Sequence, residues 1–213
     1  YCIPVELTFG EQLEYDSIQQ EFVKHKMWLG PEAFDMAKFF IANKQCTSEE
    51  KYHAAGFYKT IRERKRIVDT AHNKVSKFKA IVDANLTEKI ITFGGLNEFT
   101  DQLAESVSPL AEVYHSKRTL KQRKNALKRF KENEVNILCS TKALNQGFDI
   151  PDANIGIICG LTSKALSMVQ RTGRLIRFEE DKTGKIYIIY VKNSQEEKWL
   201  NKAVENLKGI KWL

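Results

Sequence analysis

The sequence predicts an α/β protein in which a parallel β-sheet is covered by helices on both faces and preceded by a helical N-terminal segment. After residue 85, short apolar runs alternate with longer amphipathic segments, and several of the runs are apolar throughout. Continuous apolar character is typical of parallel strands buried on both faces, and alternation with helices is typical of βα units. Before residue 85, apolar side chains recur mainly at helical spacing.

The N-terminal segment, residues 1–85, is interpreted as a helical connector or extension, and residues 1–82 read as helical. Its amphipathic patterns predict helices over residues 15–30, 34–44 and 47–85. The last of these opens with TSEE, in which a hydroxyl can cap exposed backbone N–H groups. It is long enough to form one helix or two, and Gly56 is a possible break.

The second part, residues 86–213, carries the strand–helix alternation. The predicted strands cover residues 89–95, 111–115, 135–140, 154–160 and 185–191. The predicted helices cover residues 97–107, 119–132, 163–177 and 195–207. Ligands of parallel α/β sheets meet the loops at the carboxyl ends of the strands, so we expect the site residues there.

Composition excludes several classes of protein. The 213 residues are 42% apolar and 29% charged, which is typical of a globular protein, and the longest apolar runs are far shorter than a membrane span. The four cysteines form no C-x-x-C pair, so the sequence offers no zinc site and favours a reducing, cytoplasmic setting. The chain opens on Tyr1 in mid-pattern, as a fragment of a longer protein would.

The net charge of +7 is concentrated in two basic blocks. Residues 59–79 hold eight bases and two acids, and residues 117–132 hold eight bases and one acid. Blocks of this kind favour a polyanionic partner such as a nucleic-acid backbone. The alternative, a solvated helix face without a ligand, is equally compatible with the charge alone.

The segment QRTGRLIR brings an amide and two arginines to one helix face. At about 100° per residue, Gln170, Arg174 and Arg177 lie within roughly 60° of one another, and Arg171 lies on the neighbouring face. Adjacent guanidinium groups repel unless an anion lies between them, and their planar fork suits phosphate oxygens. This predicts a pocket for an oxyanion such as a nucleotide γ-phosphate. The alternative is ion pairing with the nearby acids Glu179, Glu180 and Asp181.

The segment from Ser140 to Gly160 is a second candidate. Ser140 and Thr141 end a predicted strand, where small polar groups can hold a backbone phosphate without reading a base. Gly147 permits a tight turn, and the Asp149 carboxylate could accept from a ribose hydroxyl or orient the arginines. Asp149 could equally be a turn or cap residue beside Pro151.

The order KIITFGG, YHSKRT, STKALNQGFDIPDAN and QRTGRLIR resembles the C-terminal RecA-like domain of superfamily 2 helicases. The resemblance covers about residues 86–192. It is closest to the branch that includes phage and DNA-repair helicases and restriction-enzyme translocases. Four motifs in order at fitting intervals make this a specific signal, whereas Q-x-x-G-R-x-x-R alone would be weak.

The resemblance implies two sets of site residues. Those implied to follow the nucleic-acid backbone are Gly94, His115, Ser116, Ser140, Thr141 and Lys142. Those implied to lie beside ATP are Gly147, Asp149, Arg174 and Arg177, and among them Arg174 and Arg177 would be arginine fingers. Gln170, Arg174 and Arg177 would be the catalytic set.

The chain contains neither G-x-x-x-x-G-K-[ST] nor a D-E-x-[DH] motif. Phosphate binding and Mg²⁺ binding would therefore fall to an N-terminal RecA-like domain outside this sequence. The resemblance implies ATP, with Mg²⁺ bound mainly by that domain, and a nucleic-acid partner, with DNA favoured. This chain alone would hydrolyse ATP hardly at all. The alternative is a non-catalytic nucleic-acid-binding module. A dinucleotide enzyme is disfavoured because FGGLNEF does not supply G-x-G-x-x-G.

Overall fold

The computed structural model describes residues 1–141, 153–175, 184–205 and 209–213. Contacts divide the chain into two compact units, one formed by Tyr1–Glu6 with Asp69–Leu213 and the other by Leu7–Val68. We call them the sheet unit and the helical unit. The boundary between these two units does not coincide with the division between residues 85 and 86 that the sequence suggested, because contacts group residues 1–6 and 69–85 with the sheet.

The sheet unit contains one parallel sheet, which in the described residues has six strands. They are β1 (Cys2–Val5), β2 (Ile90–Phe93), β3 (Ala111–Tyr114), β4 (Ile137–Ser140), β5 (Ile155–Ile158) and β6 (Lys185–Val191). Their order is β1-β6-β5-β2-β4-β3, and every described pair is parallel. Strands β2, β4 and β5 are buried along their whole length, as their continuous apolar character predicts.

Helices cover both faces of this sheet. They are α4 (His72–Asp83), α5 (Asn97–Ser106), α6 (Leu120–Lys131), α7 (Ala165–Leu175) and α8 (Gln195–Val204). On one face, Ile91 and Phe93 of β2 belong to a core cluster with Phe130 of α6, Ala165 of α7 and Leu200 of α8. Alternate residues of a strand point to the opposite face, where α4 contacts β1 and β6 and α5 contacts β3 and β4. The predicted fold class is confirmed.

Strand β1 corrects the interpretation of residues 1–82 as helical. Cys2 to Val5 pair in parallel with Ile188 to Val191 of β6. The segment is four residues long and contains Pro4, which a strand at the edge of a sheet tolerates. Its partner lies more than 180 residues away in sequence, so no local periodicity could reveal it.

The helical unit consists of α1 (Phe9–Leu29), α2 (Ala33–Ala42) and most of α3 (Ser48–Asp69). Thr8 and Glu11 form a capping box at the start of α1. Gly56 does not break α3. A Cβ atom there would lie 2.2 Å from Nε2 of His25, so glycine makes room for a buried ring. That ring places its Nδ1 3.1 Å from Nδ1 of His53. Residues 47–85, left open as one helix or two, form α3 and α4.

Within the described ranges, no helix is both long enough and apolar enough to cross a membrane. The four cysteines all carry free thiols.

Candidate nucleic-acid and nucleotide site

The carboxyl ends of β2 and β4 bring three predicted residues together. The Gly94 amide donates to the Ser140 carbonyl at 2.9 Å, and the Gly95 amide donates to the Thr141 carbonyl at 3.0 Å. The pairing of the two strands therefore continues into their loops. Gly94, Ser140 and Thr141 lie at one edge of the sheet, where the parallel topology predicts a ligand.

The Thr141 hydroxyl has a partner that the sequence did not reveal. It donates to Oδ1 of Asn97 at 2.6 Å, and its Oγ1 lies 3.4 Å from Oγ1 of Thr100. Asn97 is the first residue of α5, directly after the loop that contains Gly94. A nucleic-acid phosphate that accepted a hydrogen bond from the Thr141 hydroxyl would therefore replace Oδ1 of Asn97 as the acceptor, or share the hydroxyl with it. The only sequence signal for Asn97 is its polar character at the start of a helix that follows two glycines.

The loops after β2 and β5 meet through backbone atoms. A Cβ atom on Gly160 would lie 2.7 Å from the Gly95 Cα and 2.8 Å from the Gly94 carbonyl oxygen. Real Cβ atoms do not approach backbone this closely, so both loops depend on glycine at the crossing. The loop after β5 leads within a few residues to α7. Residues 94–95, which we call the strand-contact loop because they are predicted to meet the nucleic-acid strand, thus contact the backbone of Gly160 in the segment that leads to α7.

His115 and Ser116, which follow β3, have different environments. Ser116 is exposed, whereas the His115 side chain is 2% exposed and places Nε2 3.1 Å from Oδ1 of Asp101. Arg118 donates to the same carboxylate oxygen at 2.6 Å. His115 is therefore a buried partner of Asp101 in this structure, and its Nδ1 has no hydrogen-bond partner in the described part of the chain. The sequence analysis missed Asp101 and Arg118, whose pairing depends on the return of β3 beside α5.

The Asp101 carboxyl is held in its ionised form. Partial burial by itself raises its pKa, but the hydrogen bonds and charges of Arg118 and His115 outweigh burial, so the pKa is lowered. The ionised Asp101 carboxylate therefore links His115 and Arg118, in the loop after β3, to helix α5.

The third group of predicted residues is only partly described. Gln170 is exposed on α7, and Arg174 lies one turn further along the same helix. Lys142, Gly147, Asp149 and Arg177 lie outside the described residues. The helical spacing of Gln170 and Arg174 agrees with the sequence analysis.

A parallel sheet with helices on both faces, and with polar and glycine residues gathered at the carboxyl ends of β2 and β4, defines a RecA-like domain. The sequence profile described as "Helicase conserved C-terminal domain" matches residues 66–179. The chain therefore belongs to this family, the C-terminal RecA-like domains of superfamily 2 helicases.

Known proteins agree with this assignment. The chain is 22% identical over 192 residues to the DNA 3'-5' translocase XPB2 of Sulfurisphaera tokodaii, which covers 90% of this chain and 43% of that protein. It is 26% identical over 129 residues to the pre-mRNA-splicing ATP-dependent RNA helicase PRP28 of Saccharomyces cerevisiae, which covers 58% of this chain and 22% of that protein. The chain thus spans less than half the length of these relatives.

Among solved structures, the Sulfolobus solfataricus SWI2/SNF2 ATPase C-terminal domain has a similar fold. The TM-score is 0.61 with 15% sequence identity, and the match covers 98% of this chain and 86% of that chain.

Proposed function

We propose that this chain is the C-terminal motor domain of an ATP-dependent nucleic-acid helicase or translocase that acts on DNA. The observation that carries the proposal is the meeting of Gly94, Ser140 and Thr141 at one sheet edge, joined through Gly160 to the loop before α7. By the family resemblance, Gly94, Ser140 and Thr141 would follow the nucleic-acid backbone, while Arg174 of α7 would reach toward the nucleotide.

The strand-contact side consists of backbone and small polar groups. Thr141 offers a hydroxyl beside Gly94 and Ser140, and small polar groups of this kind hold phosphates without reading sequence. By the family resemblance, Ser116 and Lys142 would extend the proposed track, and His115 supports it through Asp101.

The nucleotide side requires a second domain. An N-terminal RecA-like domain would supply the phosphate loop and the acids that hold Mg²⁺. Arg174 and Arg177 would reach across to neutralise charge that develops on the γ-phosphate, and Gln170 would help position the reacting groups. Gly147 and Asp149 would lie beside the ribose. The present chain alone would then turn over ATP hardly at all. The four free thiols suit a reducing, cytoplasmic setting.

The test uses the longer protein that contains both motor domains. Replacing Arg174 or Arg177 with Ala should lower the nucleic-acid-stimulated kcat by about 1,000-fold, because each removes a cation from the developing charge. Arg171→Ala, which alters the neighbouring face of α7, is the matched control and should retain most of the rate. Unchanged rates in both finger variants would refute the finger role. Strand binding without any ATPase in the unaltered protein would favour a non-catalytic binding module.

The choice of DNA rests on the similarity to a DNA translocase, while other relatives bear the names of RNA helicases. Comparing ATPase stimulation by single-stranded DNA and RNA of one sequence decides between them. Stronger stimulation by RNA would overturn the DNA assignment and leave the motor assignment intact.

A further inference from the structure

An ion pair whose two residues have no role in the proposed function lies in the interior of the sheet unit. Lys74, in the first turn of α4, is 0% exposed, and Glu196, in the first turn of α8, is 1% exposed. The Lys74 Nζ lies 2.9 Å from Oε1 and 2.8 Å from Oε2 of Glu196. The sequence analysis counted Lys74 only as one charge of the first basic block.

Among the described residues, the other hydrogen bonds of these two side chains go to backbone groups at the carboxyl ends of β5 and β6. Lys74 Nζ donates to the Cys159 carbonyl at 2.7 Å. The Leu161 amide donates to Oε1 of Glu196 at 3.0 Å, and the Val191 amide donates to Oε2 at 3.1 Å. The ion pair therefore holds the chain on both sides of Gly160 and ties it to the end of β6.

The same short segment is held from the other side. The amides of Cys159 and Gly160 donate to the Phe93 carbonyl at 2.9 and 3.2 Å, and Gly160 packs on Gly94 and Gly95. Residues 159–161 are thus fixed between the strand-contact loop and the ion pair. Four residues after Leu161, α7 begins at Ala165 and carries Gln170 and Arg174.

A buried ion pair is a costly way to stabilise a core. Both charges lose their hydration, and apolar residues of similar volume often give equal or greater stability. An apolar pair could not form hydrogen bonds with the Cys159 carbonyl and the Leu161 and Val191 amides, as this ion pair does. The arrangement is therefore better suited to fixing the position of a loop than to adding stability.

We propose that Lys74 and Glu196 are positioning residues for ATP turnover, because they set the loop from which α7 projects its side chains toward the nucleotide. This inference rests on the proposed function of α7. Both side chains are buried, so they would act through other groups rather than by touching the nucleotide. Their effect passes through the backbone of residues 159–161, and a displacement of about 1 Å at a reacting group can cost about 100-fold in rate.

The decisive variant is the double replacement Lys74→Met with Glu196→Leu in the longer protein with both motor domains. Either single replacement leaves a buried charge unpaired, whereas the double replacement leaves none and should unfold at a higher temperature than either single variant. If the pair positions the loop, the stimulated kcat of the double variant should stay at least tenfold below that of the unaltered protein. Its KM for ATP and its affinity for the nucleic-acid strand should change by less than about threefold. A misplaced loop would remove interactions made only in the transition state, which lowers kcat and leaves KM unchanged. Recovery of kcat together with stability would overturn the proposal.

Glu196→Gln provides a second test if the double variant does not fold. It keeps the side-chain volume and removes the charge. Glu197→Gln is the matched control, since Glu197 is the adjacent residue and its carboxylate accepts only from the Asn193 amide among the described hydrogen bonds. We expect a lower kcat for Glu196→Gln than for Glu197→Gln, and equal values would refute the positioning role.

Hydrogen exchange separates this inference from the proposed function. In the double variant the amides of Leu161 and Val191 lose their acceptors and should exchange faster, while the Ile157 amide in β5 should not. Unchanged protection at Leu161 and Val191 would refute the inference whatever the activity. Arg174→Ala and Arg177→Ala in the same ATPase assay report on the fingers alone, so the two failures are distinguishable.

Discussion

The two basic blocks, residues 59–79 and 117–132, have nearly the same sequence charge but different structural fates. In the first block most cations are already engaged. Lys59 lies 3.7 Å from Glu63, Lys79 lies 3.1 Å from Asp83, and Lys74 is in the core with Glu196. Lys65 and Arg66 also have interaction partners. The guanidinium of Arg64 lies over the Phe22 ring.

The second block divides along α6. Toward the C-terminal end, Lys128 pairs with Glu132, and Arg129 pairs with Glu112 and Glu134. At the N-terminal end, Lys117, Lys121 and Lys124 are exposed, and none has an ion-pair partner among the described residues. Lys121 and Lys124 are three residues apart and so are neighbours on the helix surface.

The comparison shows that the charge of a sequence block does not measure the charge available to a ligand. In the first block the exposed cations without a described partner, Arg62 and Lys77, belong to different helices. In the second block such cations lie together. Only a cluster of this kind presents a joint surface to a polyanion.

The largest difference in stability should appear between two variants in which one lysine of each block is replaced by Met. Lys74→Met leaves Glu196 buried without its cation and should lower the free energy of unfolding by about 4 kcal/mol. Lys121→Met changes an exposed side chain and should alter it by no more than about 0.5 kcal/mol. Urea unfolding of both variants measures the difference. Similar losses would contradict the contrast between a buried and a solvated lysine.

Replacing two arginines of the first block, Arg64 and Arg62, should produce a smaller difference in unfolding free energy than the two lysine replacements. The Arg64 guanidinium carbon lies 4.3 Å from the Phe22 ring centroid and 5.5 Å from that of Tyr15. Arg64→Ala removes this packing and should cost about 1.5 kcal/mol of unfolding free energy. Arg62→Ala, an exposed control two residues away, should cost almost nothing. Thermal unfolding checks both, and an equal loss would show that the ring contacts contribute little.

The third effect concerns strand binding and depends on the proposed function. Replacing both Lys121 and Lys124 with Ala should weaken binding to single-stranded DNA about fivefold. The double replacement should also reduce the slope of log affinity against log salt by about 1.4, or about 0.7 per lost phosphate contact. Lys59→Ala with Lys79→Ala removes the same net charge from the paired lysines of the first block. Fluorescence anisotropy across a salt series distinguishes them. Equal slopes in the two double variants would mean that α6 faces only solvent.

The smallest effect is a change in the pKa of Asp101 when Arg118 is replaced. Arg118 is the paired arginine next to the exposed lysines of the second block. Because Arg118 and His115 together lower the pKa of Asp101, the folded state favours the ionised carboxylate. The resulting stabilisation is present above the ordinary Asp pKa of about 3.9 and is lost as the pH falls through the lowered value. Arg118→Ala should raise the pKa of Asp101, and Lys121→Ala should not. NMR titration of the carboxyl group measures this. The Asp101 side chain is 41% exposed, so the contribution to stability is small.

Much of the fold could be predicted from local pattern. Apolar runs such as Ile90–Phe93 and Ile137–Ser140 mark buried strands because burial on both faces requires apolar residues at every position. Parallel topology places the carboxyl ends of the strands at one edge, which the sequence predicted for Gly94, Ser140 and Thr141, whereas the pairing of β2 with β4 that brings them into contact came from the structure. The prediction of β1 failed because a four-residue strand is defined by its partner β6 and not by its own periodicity.

The candidate site required more. Asn97 as the partner of Thr141, and Asp101 as the partner of His115 and Arg118, join residues from separate elements. Sequence spacing carries no information on such pairs, because the distance between two side chains depends on how the helices pack on the sheet.

Residue order alone was enough to predict the strands and helices after residue 85, their alternation and the family of the chain, since periodicity and motif spacing are local properties. Whether Lys74 or Lys121 could meet a ligand was decided only by folding, which buried one lysine against Glu196 and left the other in water. The physical reason is that a charge acts through its surroundings, and hydration and counter-charge are fixed by packing rather than by position along the chain.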